Sequence, residues 1–467
     1  MKLSRLALLI PCLALLLAAA ALVAWLRAVD VLDLQPRIPG RDRAMTSTVD
    51  RQQPLVGTLT PGPGRPANLA GDWSRFRGPR FDAIAHDTVP LARSWPAAGP
   101  PVLWSLDLGE GYAGAAVRGG RVYVLDYDAR RAADVLRCLS LADGREIWQY
   151  SYPVTIKRFH GMSRTVPAVT DKYVVTLGPK CQIACLDPQS GKAYWLKDLV
   201  RDFGATIPQW YAGQCPMIDG DLAIFAPGGD DALLVALDCR SGDVVWRTSN
   251  PRRWKMTHSS IMPMQFAGRK MYVYFGKGGV AGVSADDGTL LWDTTAWKVG
   301  IATCPSPVIL PEGRIFCCGG YNSGAVMLQL VEENGTLAAK ELFRLTPRQF
   351  GSTQHTPVFY NNHLFGVREH DKQLVCLDLD GKEVWRSGAD HRFAEGRGPY
   401  FLADGLLFLL DDNGKLTLVE ATTAGYHPLA RAQVLHGHDA WAPMALADGR
   451  LLLRDLTQML CLNVAQS

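Results

Sequence analysis

The sequence predicts an all-β fold. We expect an eight-bladed β-propeller with four-stranded antiparallel blades, an N-terminal strand closing the last blade, and one transmembrane helix ahead of it. Three observations carry this prediction: a recurring glycine-to-tryptophan phrase, a second phrase in register with it that opens on proline, and a C-terminus that stops one strand short.

The first phrase places a small residue and a leucine or valine before a polar turn, a glycine in the turn, and a tryptophan four residues later. It runs from Cys138 through Gly144 to Trp148, from Cys185 through Gly191 to Trp195, from Ala236 through Gly242 to Trp246 and from Gly282 through Gly288 to Trp292. A copy one residue shorter runs from Cys376 through Gly381 to Trp385. Each copy reads as a strand, a tight turn at a residue suited to positive φ, and a second strand ending in a large aromatic. The second phrase opens at Ala115, Pro167, Pro216, Pro263, Pro307, Pro357, Pro399 and Pro443. The mean spacing of about 47 residues fits two hairpins per unit, which is one propeller blade. The fifth unit (turn at Gly335) and the seventh (turn at Gly425) lack the tryptophan.

The eighth unit ends after Leu460-Cys461-Leu462 with no strand to follow. Gly99 to Leu106, with Trp104 at the repeat position, matches the missing piece. Residues 102–107 are therefore expected to form the outermost strand of the last blade, so that no seam is left open. Trp104, Trp148, Trp195, Trp246, Trp292 and Trp385 are expected as structural docking residues, each burying its indole between blades with its N–H on a backbone carbonyl. Trp254 falls in a link between blades, where truncation is expected to leave stability nearly unchanged.

These phrases resemble the quinoprotein, or PQQ-like, eight-bladed propeller superfamily, whose tryptophan-docking motif is matched almost letter for letter at 236–246. That superfamily includes calcium–quinone dehydrogenases and cofactor-free members such as the BamB-like assembly propellers. The lead-in Trp73-Ser-Arg-Phe-Arg-Gly-Pro79 also looks like that of BamB-like bacterial proteins. Fold alone does not choose between these activities.

The composition of the whole chain, 48% hydrophobic residues, 20% charged residues and 45 glycines, agrees with one large folded unit, expected over residues 71–467. A net charge of +4 is too small to argue for nucleic acid as a partner. Residues 1–27 read differently. The stretch 6–26 is apolar throughout and flanked by Lys2, Arg5 and Arg27, which is long enough for a signal-anchor; a cleaved signal peptide is the other reading. Residues 28–70 are expected as a disordered, proline-rich linker. Together with the resemblance, this predicts a bacterial inner-membrane protein with a single pass, a periplasmic propeller and a monomeric state.

Eleven cysteines invite a redox or metal reading. Cys138, Cys185, Cys376 and Cys461 share one repeat position and are expected as small packing residues. Cys181 and Cys185 lack a second pair at zinc spacing. Cys317-Cys318 are adjacent, as in the ring disulfide of alcohol-oxidising quinoproteins, yet lie in a mid-blade strand of the fifth unit. No metal site is expected.

Function is expected in the links, which emerge on one face and converge on the channel. The candidate binding residues are Arg158, His160, Arg164, Trp210, Arg253, Trp254, His258, His355, Arg397, His438 and Trp441. Such a cationic, aromatic-rimmed funnel suits an anionic ligand or a protein partner's acidic segment. The leading expectation is a membrane-tethered binding or scaffold module with no catalytic residues and no cofactor, resembling the propellers of envelope protein assembly. The alternative is a PQQ- and calcium-dependent dehydrogenase, which needs oxygen ligands for calcium, a carboxylate base and cations for the quinone carboxylates.

Overall fold

The computed structural model describes residues 13, 15–25, 55–87, 89–158 and 161–466. Residues 15–25 are helical, and among the described residues no helix is long and apolar enough to cross a membrane. The rest of the 6–26 stretch, and the linker up to residue 54, lie outside the described residues.

From Leu55 onward the chain forms eight sheets that follow one another in sequence, antiparallel except for one short added strand in the seventh. Six have four strands; blades 1 and 7 each carry a fifth. Val102–Asp107 pairs antiparallel with Gln458–Asn463 and completes blade 8, as the missing strand required. The same seam is pinned by Arg454, fully buried, which donates to the carbonyls of Gly109, Ala113 and Leu125.

The repeated letters encode both halves of an interblade contact. In the strand pairs, the small residue of the phrase faces its tryptophan: Cys138 opposite Trp148, Cys185 opposite Trp195, Ala236 opposite Trp246 and Cys461 opposite Trp104. Each indole then lies on the turn glycine of the next blade. A Cβ added to Gly144, Gly191, Gly242 or Gly288 would come within 3.0 Å of Trp104, Trp148, Trp195 or Trp246 respectively, and all four glycines have positive φ. Glycine is thus needed twice over, for backbone conformation and for contact. In the fifth blade, which lacks the tryptophan, Phe343 takes the same place against Gly381.

Three expectations about the tryptophans need correction. The indole N–H reaches a carbonyl in Trp104 (Leu141), Trp195 (Cys239) and Trp385 (Thr422), but those of Trp148 and Trp246 have no partner. Trp292 is buried in a cluster shared with the fifth blade but does not dock on a turn glycine there: it lies over Gly282 of its own blade and points its Nε1 at Met271 Sδ, 3.4 Å away. The turn glycine ahead of it, Gly335, has nothing within contact distance, so no platform exists there. Trp254, expected in a solvent-facing link, is buried against Gly276, Gly278 and Gly279. Asn250 bonds both its N–H and its carbonyl. Trp246→Ala and Trp254→Ala are therefore both expected to cost about 3–5 kcal/mol, as buried aromatic truncations. Denaturant unfolding of the two variants checks this, and a near-neutral Trp254→Ala would contradict the burial.

The linker expectation fails for residues 55–70. Thr58–Pro61 pairs with Glu146–Pro153 as a fifth, outermost strand of blade 1 and covers that edge. The lead-in from Trp73 to Ala85 then enters the channel and binds the first strands of several blades. Trp73 bridges Val117 of blade 1, and the Ser74 carbonyl accepts from Val169 of blade 2. Arg75 donates to the Ile218 carbonyl of blade 3, and Ile84–Ala85 runs parallel with Leu402–Ala403 of blade 7. Arg77 is buried and saturates four carbonyls: Phe81, Asp82, Thr356 and Pro357. This segment plugs the end of the channel opposite the links.

Candidate functional site

At the link end, a chain of hydrogen bonds runs from blade to blade around the channel wall. The N–H of Val166 donates to Cys215 Sγ (3.3 Å), that of Cys215 to Ser260 Oγ (3.0 Å), that of Ser260 to Ser306 Oγ (2.9 Å) and that of Ser306 to Thr356 Oγ1 (2.8 Å). Each link is thereby held at the same height. Two residues upstream of four of these positions stand Arg164, His258, Cys304 and Gln354. At the fifth position, Gly213, a Cβ would come within 2.6 Å of His258 Cδ2, so the glycine makes room for the imidazole.

These side chains line a cavity of about 270 Å³ together with Trp210, Ala302, Tyr321, Arg397 and Trp441. Its polar character is cationic. Among the described residues, neither Arg164 nor Arg397 forms an ion pair, and no carboxylate lines the cavity. Aromatic faces support both guanidinium groups: Arg164 lies 5.0 Å from the Tyr112 ring centroid and Arg397 5.4 Å from that of Trp441. The two rings are themselves 4.9 Å apart, giving a continuous cation–aromatic–aromatic–cation stack. The stack is anchored from behind. Trp441 Nε1 donates to Asp412 Oδ1 (2.8 Å), and Asp412 Oδ2 accepts the N–H groups of Glu395 and Arg397.

Burial, with the neighbouring Arg164 adding to it, pulls the His258 pKa down to about 4, so this imidazole is neutral at pH 7. Its Nε2 is buried without a partner. Burial likewise lowers the Arg164 pKa and raises that of the Cys304 thiol to about 11.

Of the candidate residues, the cavity gathers Arg164, Trp210, His258, Arg397 and Trp441. His355 sits one layer deeper, bonded to the Trp441 carbonyl (3.1 Å), beside a smaller void shared with Trp73 and Arg77 of the plug. Arg158 is at the surface in a bidentate pair with Glu110, and His438 is exposed beside Asp439. Arg253 is an exposed turn residue at φ 52°, and Trp254 belongs to the core. His160 lies outside the described residues.

Sequence reasoning passed over Tyr112, Cys304, Tyr321 and Gln354. Cys304 and Gln354 carry a legible signal, the shared offset of two residues before the interblade hydrogen bond. Tyr112 follows from the closure: once 102–107 ends blade 8, residues 108–115 form the eighth link. Tyr321 comes from a hairpin tip within blade 5, a position that attention to the links alone does not reach.

The wall does not fit a calcium–quinone centre. Its arginines would suit quinone carboxylates, but no Asp or Glu lines the cavity to ligate calcium or to act as base, and no group of three His, Cys, Asp or Glu able to hold a metal occurs among the described residues. Cys317 and Cys318 are free and buried, and no ring disulfide joins them.

The solved structures that this chain resembles include BamB from Moraxella catarrhalis, at 14% identity and a TM-score of 0.53, with 78% of this chain and all of that one aligned. They also include the quinohemoprotein alcohol dehydrogenase ADHIIG from Pseudomonas putida HK5, at 12% identity and a TM-score of 0.55, covering 85% of this chain and 81% of that one. At such identities the likeness is one of fold. No curated protein matches the sequence. A family model described as outer membrane protein assembly factor BamB does match residues 131–380, more than half of the chain. With the repeat and the eight blades already in hand, the chain belongs to that BamB-type family of PQQ-like propellers.

Proposed function

We propose that this propeller is a non-catalytic binding module that holds an acidic segment of a protein partner, or another anionic ligand, at its channel mouth. One observation carries the reading: two arginines without carboxylate partners, stacked on Tyr112 and Trp441, face a cavity whose lining contains no acid. An arginine left unpaired in a half-buried, aromatic setting gains most from a ligand carboxylate, because both the charge and the bidentate geometry go unused without one. Family membership points the same way, towards assembly of envelope proteins. The apolar stretch 6–26 supports an inner-membrane tether, with the propeller on the periplasmic side and functioning as a monomer.

Immobilised full-length protein is expected to retain poly-glutamate. Raising NaCl from about 50 to about 500 mM should weaken retention by about tenfold or more, because the screening length falls from roughly 14 to roughly 4 Å over that range. His258, held near 4 by burial, stays neutral between pH 5.5 and 8 and should contribute no pH dependence to retention in that range. Salt-insensitive retention, or none, would overturn the reading. So would dye-linked alcohol oxidation that requires added quinone and calcium.

A further inference from the structure

Arginines elsewhere in this molecule show how it handles carboxylates. Arg118 grips Asp171, Arg158 grips Glu110 and Arg252 grips Asp293, each through the same pair of donors, Nε and Nη2, at 2.6–2.7 Å. Arg368 does so with Asp371. This edge of the guanidinium presents two parallel N–H bonds spaced to match the two oxygens of one carboxylate.

Arg164 has the same edge unused. Its Nε and Nη2 are both shielded from solvent and make no hydrogen bond; Arg75, Arg121, Arg314, Arg450 and Arg454 leave a buried Nε without a partner, but among the described residues only Arg164 does so with both atoms of the edge. A pair of buried, charged donors without acceptors is unfavourable, because each has lost its water and gained nothing in return. Fixed in place by the Tyr112 ring, the guanidinium cannot swing out to water without losing that stack. His258, beside it on the same wall, adds a third orphaned polar atom, Nε2. The Trp73–Ala85 plug closes the far end of the channel, so the mouth is a blind pocket of about 270 Å³. A chain end or one side chain fits such a volume, whereas a polypeptide cannot thread through it.

We infer that Arg164 is the receptor for a single carboxylate, inserted end-on into the channel mouth and taken bidentately once a turn of the guanidinium over the Tyr112 ring brings its shielded Nε–Nη2 edge round to the pocket, with Arg397 across the pocket supplying further positive charge. This deepens, and rests on, the proposed binding of an acidic partner. It narrows the ligand from general anionic character to one planar carboxylate borne by a chain terminus or an acidic side chain.

Cys304 provides a local reporter. It lines the same pocket, and of the ten cysteines among the described residues it is the only one not buried. Its alkylation by N-ethylmaleimide at pH 8.5, followed by peptide mass mapping of the full-length protein, reads occupancy. Benzoate at about twice its dissociation constant should slow modification about threefold by mass action. Benzamide, of the same shape but neutral, should not. Arg164→Gln should abolish the protection. Arg164→Lys keeps the charge but not the fork, and should lose most of it, which guards against a Gln variant that fails to fold. Equal protection by benzamide, undiminished protection in either variant, or no protection by benzoate would each overturn the inference. Three hexapeptides then identify the source of the carboxylate: one with a free C-terminus, its C-terminal amide, and that amide carrying an internal glutamate. Protection by the first alone assigns a chain terminus; protection by the third assigns a side chain. The broader reading is tested separately by poly-glutamate retention. Loss of retention with benzoate protection intact would sink the acidic partner and keep the carboxylate slot, and the converse would sink the slot alone.

Discussion

Deleting residues 98–108 should abolish cooperative unfolding of the propeller or lower its Tm by more than 10 °C. The deletion removes Val102–Asp107, and with it the outer strand of blade 8 and its pairing along Gln458–Asn463. It also removes Trp104, buried on Gly144 of blade 1 with its Nε1 bonded to the Leu141 carbonyl. The loss of the indole alone costs about 3–5 kcal/mol, and the strand edge left behind is a site for intermolecular pairing. Trp104→Ala in the intact chain separates the two contributions, since it keeps the strand and loses the docking. Thermal unfolding of both checks the expectation. A deletion variant that melts within a degree or two of the parent would show that the seam holds without its borrowed strand.

Arg77→Met should destabilise the protein by about 3–5 kcal/mol, because four backbone carbonyls lose their donor at about 1–3 kcal/mol each, partly offset by no longer burying a charge. The methionine fills most of the space but leaves the carbonyls of Phe81, Asp82, Thr356 and Pro357 without their donors. Burial lowers the Arg77 pKa only to about 10, so the group is charged at neutral pH and its five N–H donors are all available. Lysine has three donors and no planar fork, so Arg77→Lys should recover little. Urea unfolding gives the measurement, and a change in midpoint equivalent to less than 1 kcal/mol would mean that the plug is dispensable.

What could be read from the letters was what the letters encode at both ends. A tryptophan facing cysteine or alanine, and a glycine under the indole, mark the two partners of each docking contact, so blade number, register and closure were all legible. Trp292 and Trp254 were misread because their surroundings come from glycines outside the phrase, Gly282 for the one and Gly276–Gly279 for the other. The plug was visible only as a resemblance of its lead-in. Its partners are mainly backbone carbonyls 143 to 280 residues away, and a carbonyl has no letter. The channel mouth was half legible. Link position predicted Arg164, His258, Arg397 and Trp441, but inward orientation depends on the hydrogen-bond chain through Cys215, Ser260, Ser306 and Thr356, whose members are 45 to 50 residues apart.

The plug also bears on the order of events at the ribosome. Residues 73–85 are synthesised before any blade, yet two of their binding sites, the carbonyls of Thr356 and Pro357 and the strand at Leu402–Ala403, emerge some 280 to 320 residues later. Translation at about 5–20 residues per second leaves that segment, with its tryptophan, two phenylalanines and three arginines, waiting unsatisfied for tens of seconds. Blades 2 to 5 can form in sequence on local hairpins during that interval, but the ring cannot close until the earliest residues meet the latest. Folding of this chain is therefore expected to have a fast local phase and a slow final one of high contact order, and the nascent N-terminal segment is where a holding chaperone would have most to protect.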